Sequence, residues 1–161
     1  MVELTELPGS MRLILRGRAV ALEAAADVLG FALPPVCRAA VGGERAVLWL
    51  GPDEFLLLVP EADTIATDLA RALAGLPHAL VDVGQRQVAL QLRGPDATDV
   101  LNAGCPLDLH PDAFPVGMCT RTVLAKSEII LWRTATDTFR MDVVRSFAPY
   151  VRTFLREAAI G

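Results

Sequence analysis

The chain has 161 residues, 53% of them hydrophobic and 21% charged, with a formal net charge of −4. That balance argues against a sequence-independent grip on nucleic acid or an anionic membrane surface. No apolar run reaches the roughly 18 residues that a membrane-spanning helix needs.

A chain of this length buries roughly 68–70% of its unfolded surface and needs no disulfide or metal to hold it. Its apolar excess points to a large core, or to a face that a partner covers. The first ten residues carry Glu3 and Glu6 and no basic stretch, so they read as no secretory signal. Three cysteines, an odd number, then point to reduced thiols in the cytoplasm.

Residues 1–10 show no period and end in Pro8-Gly9-Ser10, which reads as an N-terminal arm. Met11–Leu15 reads as a strand. Leu22, Ala25, Ala26 and Leu29 fall at i, i+3, i+4 and i+7, so the spacing predicts a helix over Ala19–Leu29, with Gly30 as its cap. Pro34-Pro35 breaks any continuation. Gly42-Gly43 is a turn candidate. Arg45–Leu50 and Glu54–Val59 read as a hairpin turning at Gly51-Pro52-Asp53, and both strands are almost continuously apolar. Such strands are buried on both faces or present one face to a partner.

Ile65, Leu69 and Leu73 place a helix over Glu61–Ala74, ended by Gly75 and Pro77. Ala79–Val83 and Arg86–Leu92 read as strands around the joint Gly84-Gln85. Gly94-Pro95-Asp96 opens a further helix, with proline at its first position and Gly104 as its cap. A proline-rich stretch follows. Cys119–Ala125, Glu128–Arg133 and Thr138–Val144 then read as three strands. The last element, Ser146–Ala158, reads as a helix capped by Ser146 with a stripe of Phe147, Tyr150, Val151, Phe154, Leu155 and Ala158.

The order is β-α-ββ-α-β, then β-α-loop-βββ-α. The fold class is therefore α+β: one compact domain of two halves, about 11–84 and 85–160, each an antiparallel sheet covered by helices.

The stretch Gly104–Lys126, GCPLDLHPDAFPVGMCTRTVLAK, holds two of the three cysteines, one of the two histidines and three prolines. It has the look of an active-site loop. Cys105, His110 and Cys119 are three possible soft ligands, but gaps of four and eight residues are not the short paired spacings of a zinc site. Cys105 or Cys119 with His110 or His78 is a possible nucleophile–base pair, without an oxyanion signature beside it. Small buried thiols and a loop histidine bonded to a nearby carbonyl account for the same residues. Cys37 stands apart from all of these.

No glycine-rich phosphate motif is present. Asp82 lies inside a predicted strand, where a cross-strand arginine would balance it: Arg86, Arg121, Arg133, Arg140 and Arg145 are the candidates. Trp49 and Trp132 lie in mid-strand, as core or as interface anchors. No catalytic constellation assembles from the residue pattern.

Four segments carry a family resemblance: LWLGPDEFLLL (Leu48–Leu58), the stretch Gly104–Lys126, LWR (Leu131–Arg133) and VVRSFAPYVRTFL (Val143–Leu155). Together they resemble the gamma subunit of heterotetrameric sarcosine oxidase. The resemblance covers about residues 46–159, most strongly from Val81, and residues 1–45 carry little of it. Phe55 departs from the tryptophan of many relatives, a conservative change.

The resemblance implies two ferredoxin-like α+β halves. It also implies a fold like the folate-binding domain of glycine-cleavage T-protein, with GPDATDVL (Gly94–Leu101) opening the second half. It further implies a non-catalytic accessory subunit, with no catalytic, cofactor-binding or metal residue of its own. The implied partners are alpha, beta and delta subunits. The larger alpha and beta subunits would carry FAD, FMN and NAD and the tetrahydrofolate site while sarcosine is demethylated to glycine with formation of hydrogen peroxide. The alternative is a stand-alone folate-binding or aminomethyltransferase-like domain. On the subunit reading the proline-braced stretch and the strands after it serve packing and docking, with Arg121, Lys126, Trp132, Arg133 and Arg145 as candidate partner contacts.

Overall fold

The computed structural model describes residues 1–161, and each of its ten strands pairs with its neighbours antiparallel. The chain divides into two compact units, one of Gly9–Gln85 and one of Met1–Pro8 with Arg86–Gly161. The boundary between them falls at the expected division between halves, and residues 1–8 group with the second.

In the first of these units, β2 (Met11–Gly17) leads into α1 (Ala19–Leu29), which buries Ala21, Ala25 and Leu29 as its spacing predicts. Gly30 ends it in the left-handed region, φ +84°, where a side chain would be strained, and donates its N–H to the Ala26 carbonyl at 2.9 Å. Next come β3 (Ala39–Gly42), β4 (Arg45–Gly51), β5 (Glu54–Val59), α2 (Ile65–Leu73) and β6 (His78–Asp82). The sheet order is β3-β4-β5-β2-β6.

Every residue of β5 is buried. Alternate residues Phe55, Leu57 and Val59 join the core with Leu69 and Leu73 of α2, and the intervening Leu56 and Leu58 are buried as well. The apolar run therefore reflects burial on both faces. β3 is an edge strand that residue pattern does not announce, because AAVG is short and lacks alternation.

Helix α2 begins at Ile65 and not at Glu61. Asp63 turns the chain there: its Oδ1 accepts the Ile65 N–H at 2.9 Å, and its two oxygens accept the Arg45 fork at 2.8 and 2.9 Å. Asp82 does not take a strand arginine. Its Oδ1 accepts the Gly84 N–H at 2.8 Å and starts the short 3-10 turn Gly84–Arg86.

In the second unit the supposed arm is an edge strand. β1 (Glu3–Glu6) pairs with β7 (Gln87–Arg93) in the register Glu3↔Arg93 to Glu6↔Leu90. Val2 and Leu4 pack on the core, Glu6 pairs with Arg152, and the terminal ammonium meets Asp96. After β7 come α3 (Ala97–Asn102), β8 (Cys119–Leu124), β9 (Ser127–Ala135), β10 (Thr138–Val144) and α4 (Ala148–Ile160). The sheet order is β1-β7-β10-β9-β8.

Three expected caps are corrected. Pro95 lies before the N-cap Asp96, and Ser146 sits inside a 3-10 turn, Arg145–Phe147, without capping α4. Gly104 is not a left-handed cap. It is small because a Cβ there would meet the Phe154 ring at 2.5 Å and the Ala125 nitrogen at 3.0 Å. The 3-10 turn leads into α4, which has Pro149 in its first turn. Ala148, Val151 and Leu155 go inward, whereas Phe147 and Tyr150 remain 45% and 38% exposed.

The Arg45–Asp63 fork carries a pH prediction. The Arg45 hydrogen bonds hold the Asp63 carboxyl below its ordinary range, against the opposing effect of burial. A lowered folded pKa gives stability that is present above the unfolded value of about 3.9 and is lost as pH falls through the folded value. Asp63→Asn is therefore expected to be less stable than the native chain near neutrality. The difference should shrink toward zero in acid, as read by urea titrations across that range.

Candidate functional site

The stretch between α3 and β8 is braced from both sides. Asp108 Oδ1 accepts the His110 N–H at 2.9 Å, and the His110 carbonyl accepts the N–H groups of Ala113 and Phe114 at 2.9 and 2.8 Å. The Gly117 N–H reaches the Arg133 carbonyl at 2.8 Å, and the Arg133 N–H returns to the Met118 carbonyl at 3.0 Å. Leu109 and Phe114 are sunk in the core.

Arg133 lies at the centre of this arrangement. It is 3% exposed. One terminal nitrogen donates to the Leu109 and Phe114 carbonyls at 3.1 and 2.8 Å, and Nε donates to the Thr136 carbonyl at 3.1 Å. Its guanidinium carbon sits 4.9 Å from the Phe139 ring centroid, and Phe114 packs on the same ring at 6.5 Å. Burial lowers the Arg133 pKa, but a guanidinium stays charged at any working pH. Arg133 is thus an internal brace, and its burial withdraws it from the set of candidate surface contacts.

The thiols and the histidine are not brought together. Cys105 is buried, its Sγ 3.9 Å from Thr122 Oγ1, and Cys119 is fully buried at the start of β8 opposite Trp132. His110 is exposed, its Nδ1 accepting the Asp112 N–H at 3.2 Å rather than bonding a carbonyl. The ring of His78 does bond a carbonyl, that of Leu76, at 2.7 Å. No three His, Cys, Asp or Glu side chains converge as metal ligands.

A polar cleft of about 760 Å³ opens beside the loop, with Asp99, Asp108, His110, Arg133 and Asp137 in its lining. Neither cysteine reaches it, so the geometry does not place a nucleophile beside a base. A second cleft, of about 510 Å³, lies in the Gly9–Gln85 unit around Arg16, Arg18, Asp53 and His78, and its lining is mainly apolar.

The remaining candidate contacts sit on or near the sheet of the second unit. Arg121 is exposed on β8, Lys126 is exposed at the β8–β9 turn, and Arg145 is exposed in the 3-10 turn before α4. Trp132 is half-buried on β9, with its indole N–H buried and without an acceptor in the chain. Trp49 is half-buried against the core of its own unit. Arg140 forks onto Asp142, two residues along the same strand, at 2.9 and 3.1 Å.

Residue pattern alone missed Phe147 and Tyr150 as surface groups. The signal was present, because Ala148, Val151 and Leu155 form an i, i+3, i+7 stripe that competes with the more apolar-looking one.

Residues 16–161 match the sarcosine oxidase, gamma subunit family. The match begins upstream of residue 46, where resemblance was first legible. The chain is 38% identical over 137 residues to the sarcosine oxidase subunit gamma of Corynebacterium sp. strain P-1, covering 84% of this chain and 68% of that one. It is 42% identical over 118 residues to the subunit gamma of an Arthrobacter species, covering 72% of this chain and 58% of that relative.

Among solved structures, a chain of heterotetrameric sarcosine oxidase from Corynebacterium sp. U-96 superposes with a TM-score of 0.92. It is 37% identical and covers 98% of this chain and 83% of that one. The glycine cleavage system aminomethyltransferase T from Bartonella henselae superposes with a TM-score of 0.69 at 16% identity, covering 96% of this chain and 45% of that one. That second likeness bears on fold alone, and it agrees with the T-protein-like α+β architecture.

Arg133→Met keeps the length of the side chain and removes the fork. It leaves the carbonyls of Leu109, Phe114 and Thr136 without their donor, and the expected loss is about 2–4 kcal/mol in urea unfolding. Arg133→Lys is not expected to restore it, since a single ammonium cannot reproduce the planar fork.

Proposed function

The chain belongs to the sarcosine oxidase gamma subunit family, and on that premise we propose that it is a non-catalytic subunit that docks onto larger sarcosine oxidase subunits. The observation that carries the reading is the superposition, over nearly the whole chain, on a subunit of the heterotetrameric Corynebacterium enzyme. The assembled complex oxidises the N-methyl group of sarcosine, yielding glycine and hydrogen peroxide, and passes the one-carbon unit to tetrahydrofolate. Its other subunits are alpha, beta and delta, of which the larger alpha and beta hold FAD, FMN and NAD and the folate site. The complex works in the cytoplasm; no helix of this chain is long and apolar enough to cross a membrane.

Several features of this chain favour a docking role over a catalytic one. Its most buried site-like cation, Arg133, is fully engaged with backbone carbonyls. Its thiols lie apart from its histidines. Arg121, Lys126 and Arg145 are exposed cations on one unit, and Trp132 is half-buried on β9, the strand that pairs with β8. Planar and aromatic side chains of these types dominate protein interfaces.

Co-expression with the candidate flavoprotein subunits tests the reading. The chain is expected to co-elute on gel filtration with the flavin absorbance band. Recovery only as a colourless monomer counts against it. Titration of the isolated chain with tetrahydrofolate is expected to give no heat at millimolar ligand; saturable heat would favour a folate-binding domain acting alone. Replacing Cys105 and Cys119 together by alanine is expected to leave assembly and oxidase activity intact.

A further inference from the structure

We infer that the end of the second unit built from the β8–β9 turn and the start of α4 is the docking surface, with Phe147 and Tyr150 as its anchors. Its occupant is an acidic, apolar-centred surface on a larger sarcosine oxidase subunit. The inference rests on the docking role proposed above and names the surface that performs it.

Strand topology brings the parts together. The β8–β9 turn, Ala125-Lys126, precedes β9 at Ser127. β10 runs antiparallel to β9, with Val143 opposite Ile129, so it ends at Val144 on the same side as that turn. The 3-10 turn Arg145–Phe147 and the first turn of α4 continue from there. One hydrogen bond closes the arrangement: the Lys126 N–H donates to Tyr150 Oη at 3.3 Å.

Three properties mark this end. First, Phe147 and Tyr150 are large rings left exposed although the helix had an inward face to offer them. Phe147 ends the 3-10 turn and Tyr150 lies in the first turn of α4, three residues on, and Val144 and Val123, near them in sequence and strand order, are 45% and 43% exposed.

Second, the Tyr150 ring is already tethered, so little rotamer freedom is lost on binding. The turn it holds contains a strained residue. Ala125 has φ +52°, a conformation that costs a non-glycine residue about 1 kcal/mol or more. Its N–H is fixed on the Gly104 carbonyl at 2.9 Å.

Third, the charge is opposite to that of the chain. With Arg152 set aside beside its partner Glu6, segments 119–128 and 144–152 carry three cations, Arg121, Lys126 and Arg145, and one acid, Glu128, in a chain of net charge −4. A cationic rim around apolar rings fits a partner whose apolar pocket is edged by carboxylates.

The test uses the full chain co-expressed with the larger subunits and reads the fraction that elutes with the flavin band. Phe147→Ala with Tyr150→Ala is expected to weaken association by at least about tenfold, the scale of anchor residues. Lys126→Glu with Arg145→Glu, surface changes that spare the core, is expected to weaken it too and to flatten its dependence on salt. Val20→Ala with Val36→Ala, exposed residues of the other unit, is expected to leave it unchanged. Circular dichroism melts of each variant verify folding.

If the native chain co-elutes and both pairs of variants at this end co-elute equally well, the inference is overturned. If the native chain itself does not co-elute, the docking role fails first. A dimer of the chain alone that the Phe147 and Tyr150 changes abolish would make a second copy the occupant, and would overturn the assignment to the larger subunits.

Discussion

A single buried guanidinium holds the most distinctive stretch of this chain in place. Arg133 projects from β9 and gathers the carbonyls of Leu109, Phe114 and Thr136. Those three groups come from two separate loops, one before β8 and one between β9 and β10. Buried carbonyls left unpaired cost about 1–3 kcal/mol each, so the fork stabilises both loops at once. The Phe139 ring beneath the cation and the Phe114 ring beside it fill the space that the planar group leaves. Prolines at 106, 111 and 115 shorten the choices open to the loop in the unfolded chain. A loop built this way positions its neighbours; it does not open to a reactant.

The bracing divides the second unit by function. β9 spans nine residues, about 30 Å of extended chain. At one end, around Thr136 and Asp137, lie the Arg133 brace and the polar cleft beside it. At the other lie the strained β8–β9 turn, the tethered Tyr150 ring and the cations of the rim. Strain and exposed aromatics sit at one end, and satisfied polar groups at the other. Strain persists where surrounding structure over-determines it, often at sites that bind.

Sequence reading was most successful where one physical signal dominated. α1 emerged with its boundaries because apolar spacing, a glycine cap and following prolines agree. β4 and β5 emerged because their runs are long and flanked by turn residues. β1 looks like a tail in sequence because it is four residues next to Pro8-Gly9; its partner strand, more than 80 residues away, supplies the order. Asp63 was hidden for a similar reason, since its cap and its arginine are visible only once Arg45 is brought beside it. Asp82 invites an ion pair and makes a local turn instead, its side chain bonding the backbone two residues on.

The candidate site was legible as a place and misread in its parts. The odd stretch Gly104–Lys126 announces itself by composition, and its cysteines are buried as small packing groups, whereas its key partner, Arg133, lies outside it in a strand. Arg133 looked like a surface contact because sequence cannot reveal three carbonyls converging on one position. Phe147 and Tyr150 look like core in sequence because rings on a helical stripe usually are; in the fold Phe147 falls in the 3-10 turn and Ala148, Val151 and Leu155 take the inward face. The central claim is that this end of the unit is covered in the assembled enzyme. Hydrogen exchange of the chain, free and within the co-expressed complex, tests it most directly. The account predicts slowed exchange in peptides spanning 120–128 and 144–152, with little change around residues 36–43. Unchanged exchange in those two peptides, with protection appearing elsewhere, would contradict it.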